Sequence, residues 1–138
     1  MTLHPLLLAE LLEAEADMAR KRLGGRVAHI DVNGPLVSAW LTPREGGGIA
    51  IRLDGTHYDA EPFRVAIVDA GGGELSSRGW PGQLFHAIHP VLRRPFACIR
   101  GTYEYHCHPS HASDAWDAHR FLIRLGDLLD HLVTKAGR

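Results

Sequence analysis

At 138 residues, with 45% hydrophobic and 22% charged side chains, the chain has the size and balance of one folded domain, residues 1–138. Those values exclude a disordered chain and a fold that depends on disulfides. Its 15 Lys and Arg against 16 Asp and Glu leave a net charge of −1, without the basic excess of a dedicated nucleic-acid binder. No apolar run approaches the roughly 20 residues of a membrane helix, and Leu6-Leu7-Leu8 runs straight into Glu10 and Glu13 instead of forming a signal segment, so a cytoplasmic protein is expected.

The first expected element is a helix over Pro5–Leu23. Proline suits its first turn, and Leu7, Leu8, Leu11, Leu12, Ala14, Ala16 and Met18 supply apolar faces. Arg20, Lys21 and Arg22 sit at its negative end, and Gly24-Gly25 ends it. The period then changes from 3.6 to 2. Arg26–Val32 reads as a strand with Ala28, Ile30 and Val32 on one face, and Asn33-Gly34 as a hairpin turn. Leu36–Leu41, Ile49–Leu53 and Phe63–Val68 follow as strands, separated by Gly46-Gly47-Gly48, Asp54-Gly55 and Gly71-Gly72-Gly73. Short turns without intervening helices predict a four-stranded antiparallel meander.

Glu74–Pro95 is irregular, punctuated by Trp80-Pro81-Gly82 and His89-Pro90, and Phe96–His108 reads as extended. The last element is expected as a long helix. Ser113 caps it, Asp114 and Asp117 lie in its first turn, and an apolar stripe runs from Trp116 through Phe121, Leu122, Leu125, Leu128, Leu129 and Leu132 to Val133. The fold class is therefore α+β, with helices packed on an antiparallel sheet.

Histidine is unevenly spread. The chain has ten, five of them between His86 and His111, a stretch that also holds both cysteines, Cys98 and Cys107. In an extended segment Glu104, His106 and His108 share a face, Cys98 has the same parity, and Pro109 turns the chain so that His111 folds back. A thiolate, a carboxylate and imidazoles within fourteen residues are a metal-ligand inventory. The donor set is best matched to zinc, with iron, nickel or copper as other transition metals and calcium or magnesium disfavoured. The same residues also read as a polar strand face with an ordinary core cysteine, since CxxC pairs and HExxH are absent. His86 and His89 read as structural, Trp116 as core, and His119 and His131 as unconnected with the cluster.

The order of elements resembles the ubiquitin-conjugating enzyme (UBC) fold. In that family a His-Pro-Asn tripeptide precedes the catalytic cysteine by about ten residues, and here His89-Pro90-Val91 precedes Cys98 by nine. Val91 stands where that family has the asparagine that helps stabilise the oxyanion. Cys98, Glu104, His108 and His111 are similar to the Cys-Glu-His-His pattern of a small bacterial family of predicted metal-binding proteins. Its members are encoded beside ubiquitin-like proteins, activating-type enzymes, conjugating-type proteins and JAB-type peptidases. Either His106 or His108 matches the first histidine of that pattern. The resemblance implies a metal site, with a ubiquitin-like protein or its activating enzyme as partner. Three readings follow: a small metal-binding protein, structural if four side chains ligate and open if three do; a conjugating-type carrier of a thioester on Cys98; and a non-catalytic binding module of the same fold.

Overall fold

The computed structural model describes residues 3–138 and has the α+β architecture expected from the periodicity. Helix α1 (Pro5–Leu23) is capped by His4, whose Nδ1 accepts the Leu6 N–H at 3.2 Å. It buries Leu8, Leu12, Ala16, Ala19 and Leu23, while Leu7 and Met18 stay on the solvent side. Strands β1 (Val27–Asn33), β2 (Leu36–Leu41), β3 (Ile49–Asp54) and β4 (Arg64–Ile67) pair antiparallel in the order β1-β2-β3-β4. Strict alternation in β3 sends Ile49, Ile51 and Leu53 into the core.

Two details of the sheet differ from the expected pattern. The β1–β2 pairing jumps from Ala28↔Trp40 to Asp31↔Ser38, and His29 takes a φ of +52°. This bulge inserts an extra residue and breaks the alternation, so Val27 and Ile30 are both buried and Ala28 only partly so. The hairpin turn lies one residue later than Asn33-Gly34. Asn33 remains paired with Leu36, and the two loop residues are Gly34, at φ +60°, and Pro35. A positive φ at the first loop position and proline at the second fit the type II′ pattern that suits twisted hairpins.

After β4 a short hairpin, β5 (Ala87–Ile88) with β6 (Pro95–Phe96), carries His89 and Pro90 in its loop. The Phe96–His108 segment is not one extended strand: Tyr103–His106 forms a helical turn, α2, followed by 3-10 turns at Pro109–His111 and Trp116–Ala118. The last helix, α3 (Leu125–Ala136), is also shorter than expected. Ser113 does not cap it; Glu15 of α1 does, by accepting the Leu125 N–H at 3.0 Å, while Asp127 accepts the Arg124 N–H at 2.8 Å. Trp116 is buried as expected, but Phe121 and Leu122 lie outside the helix and are 76% and 75% exposed. The apolar stripe therefore belongs to α3 only from Leu125 onward.

α1 and α3 pack on one another and with the inner face of the sheet around Leu12, Val37, Leu41, Leu53, Leu128 and Leu129. Among the described residues no helix is long and apolar enough to cross a membrane.

Candidate functional site

The chain leaves β6 with Phe96, Ala97 and Ile99 buried, which leaves Cys98 half-exposed at the surface between two core anchors. Gly101 then takes a φ of +102°, and a Cβ there would lie 2.7 Å from Ile123 Cγ2. Thr102 starts α2: its Oγ1 accepts the Tyr105 N–H at 3.1 Å and donates to the Ile99 carbonyl at 2.8 Å. Side chains on this turn fan out at about 100° per residue instead of alternating, and that separates the residues expected to share a face.

Glu104 turns inward. Its Oε1 accepts the Val65 N–H at 2.9 Å, and its Oε2 pairs with Arg94 Nη2 at 2.6 Å. Burial pushes its carboxyl up, and Arg94 and the Val65 amide hold it back. His106 accepts the Gly101 N–H on Nε2 at 3.1 Å, so its proton lies on Nδ1, which donates to the Asp114 carbonyl at 2.8 Å. Burial lowers its basicity. Both residues are thereby engaged in holding α2 to its surroundings.

Cys98 and His111 are brought together: Sγ lies 3.4 Å from Nε2. The His111 ring stacks on Tyr105, with centroids 3.9 Å apart and planes at 15°. Burial pushes the Cys98 thiol up, with Lys135 acting weakly against it. His108 sits beside them, its centroid 5.7 Å from that of His111. Its Nδ1 accepts the Ser110 N–H at 3.1 Å and faces Ser110 Oγ at 2.7 Å, which leaves Nε2 as its ligating nitrogen. Loss of solvent lowers its basicity, and the imidazoles of His89, His111 and His86 add to that.

A tetrahedral zinc with a sulfur at about 2.3 Å and a nitrogen at about 2.05 Å holds those two atoms roughly 3.5 Å apart. The Cys98–His111 separation already matches that spacing. Of the five expected ligands, Cys98 and His111 are in contact and His108 neighbours His111, while Glu104 and His106 face other partners. Among the described residues no three His, Cys, Asp or Glu side chains already converge as a metal cage. The donor chemistry of Cys98 and His111 fits the ion, and His108, packed on Phe96 and His89, is the next imidazole to that pair.

Other residues of the region escape the sequence pattern. Asp114, expected at a helix N-terminus, is a loop hub: Oδ2 accepts from Tyr105 Oη at 2.6 Å and Arg100 Nε at 2.9 Å, and Oδ1 lies 2.5 Å from His119 Nε2. The Tyr105 hydroxyl and the His119 imidazole hold its carboxyl well below the usual range, with Arg100 adding to them. His119, expected to be unconnected with the cluster, is thus tied to it through Asp114. No periodic signal marks either residue; only the density of hydrogen-bonding side chains between 100 and 119 hints at such a network.

His89 is structural, as expected. It is fully buried, its Nδ1 accepts the N–H groups of Val91 and Leu92, and its Nε2 donates to the Glu104 carbonyl at 2.8 Å. Cys107 lies 3.5 Å from the same Nε2, and burial pushes its thiol up. Compared with known proteins, the chain matches no protein-family model and no curated protein.

Proposed function

We propose that this chain is a small metal-binding protein, with zinc the ion that best suits it, built on a UBC-like scaffold and working with a bacterial ubiquitin-like modification system. The observation that carries the metal reading is the 3.4 Å approach of Cys98 Sγ to His111 Nε2, with the His108 ring next to that of His111. Cys98, His108 and His111 would hold the ion, and three protein ligands leave a fourth position open. A zinc so held supplies Lewis acidity. The protein's own contribution is to orient the ligands: Tyr105 stacks on His111, Asp114 anchors the Tyr105 hydroxyl, and Ser110 fixes the His108 ring. Support for the scaffold is the order α1, four-stranded meander, His89-Pro90 hairpin, Cys98, α3.

Elemental analysis of the untagged protein tests the metal. About one equivalent of zinc or another transition metal is expected in the wild type, and it is lost in Cys98→Ala, His108→Ala and His111→Ala. A folded Glu104→Gln variant is expected to keep its metal, because Glu104 faces Arg94 and Val65. Absence of metal from the wild type, with none taken up on adding zinc, would sink the reading.

A second reading is favoured by the half-exposed thiol nine residues after His89-Pro90, beside an imidazole. It makes Cys98 the carrier of a ubiquitin-like protein as a thioester. Alkylation separates the two: a liganded Cys98 reacts only after a chelator is added, whereas a carrier thiol reacts without one and loses its charging in Cys98→Ser.

A further inference from the structure

A second site lies where the end of α3 meets the chain on either side of the β1–β2 hairpin. Arg26, Arg44 and Arg138 line a cavity of about 530 Å³ together with Thr42 and Thr134, over Val133. The volume is that of a small-molecule pocket. Lys and Arg are 15 of 138 residues, so a lining of this size would by chance hold fewer than one; it holds three, and no Asp or Glu. The walls are held close: a Cβ on Gly137, the neighbour of Arg138, would lie 3.1 Å from the Arg44 backbone nitrogen.

The donors are available. Arg26 uses one Nη on Asp130, at 2.6 Å. Arg44 and Arg138 form no ion pair among the described residues. The Thr42 hydroxyl is taken by the Gly25 carbonyl, and Thr134 leans on Asp130, so recognition falls to the guanidinium groups. The negative end of α3, with about half a charge, and the Asp130 carboxylate bonded to Arg26 oppose an anion here, so the attraction rests on Arg44 and Arg138. Paired N–H donors in a planar fork match phosphate oxygens, and buried Val133 closes the floor of the cavity.

We infer that this cavity binds a small molecule carrying a polyphosphate group, independently of whether Cys98 binds a metal. Isothermal titration of the full chain with sodium tripolyphosphate at low salt tests it. Saturable one-to-one binding is expected. The double variant Arg44→Gln/Arg138→Gln should weaken it by about tenfold or more, and Arg78→Gln, an equally exposed arginine elsewhere, should leave it unchanged. Both cavity arginines are exposed, so the double variant should keep the wild-type melting temperature. The inference is overturned by lack of saturation up to about 1 mM probe, or by an equal loss in Arg78→Gln, which marks general charge. It is equally overturned by an unchanged heat in the double variant, which marks extraction of a metal by the probe.

Discussion

Glu104 and His106 stand two residues apart in the sequence and serve different parts of the molecule. Glu104 ties α2 to β4 through the Val65 amide and Arg94, inside the protein, where a carboxylate without partners is costly. Glu104→Ala leaves the Arg94 charge half-buried and the Val65 N–H without its acceptor, so a loss of about 3 kcal/mol is expected by urea unfolding. Asp114 acts at the surface, and its effect is read in pH dependence. Its carboxyl is lowered by Tyr105, His119 and Arg100, so its contribution to stability is full above the unfolded value of about 4 and is lost as pH falls below it. The advantage of the wild type over Asp114→Asn, measured as a urea midpoint, should therefore hold at pH 6 and shrink below about pH 4. An advantage that grows on acidification would contradict the hydrogen-bond assignment.

Among the elements, those with a regular period were legible in the sequence. α1 begins and ends at the expected residues, and β2 matches as well, because a helical stripe and a two-residue alternation each record which face is buried. Residues 96–124 were not legible. Their conformation is set by side chains bonding backbone across the region, such as Thr102 on α2 and His106 bridging Gly101 to Asp114. No spacing rule encodes those contacts: the strand face expected to align Cys98, Glu104, His106 and His108 is replaced by the α2 turn, while His111 folds back beside Cys98 after Pro109.

The misread stripe before α3 has a measurable counterpart. Phe121→Ser and Leu122→Gln, at exposed positions, should each change stability by less than about 0.5 kcal/mol, whereas Leu129→Ala, fully buried, should cost about 2–5 kcal/mol. Thermal unfolding of the three variants decides whether the buried stripe excludes Phe121 and Leu122. Gly101→Ala should cost about 1–3 kcal/mol from its backbone conformation alone, with the clash against Ile123 added to it.

At the scale of the whole molecule, the helices are joined by charge as well as by packing. Glu15 of α1 accepts from the Leu125 N–H, pairs with Arg124 and lies 3.2 Å from the Tyr58 hydroxyl, while Arg124 also reaches Asp59. Burial, with the Glu15 carboxylate, pushes the Tyr58 phenol well above its ordinary value. Removing Glu15 would leave Arg124 Nε and the first N–H of α3 without their shared acceptor, with Asp59 still holding Arg124 Nη1. Glu15→Ala is expected to destabilise by about 3 kcal/mol and to lower the urea midpoint more than Asp17→Ala, which pairs with Arg20 on the exposed side of the same helix.

The Glu15–Leu125 bond joins residues 110 apart in the chain, and the sheet lies between them in sequence. On the ribosome this order has a cost in time. α1 emerges first and can settle on β1 soon after, but the face that α3 covers waits for about a hundred further residues, roughly 5–20 s at ordinary elongation rates. Through that interval an amphipathic helix stands with Ala19, which Gly126 of α3 later covers, unshielded, and α3 then closes the domain against α1.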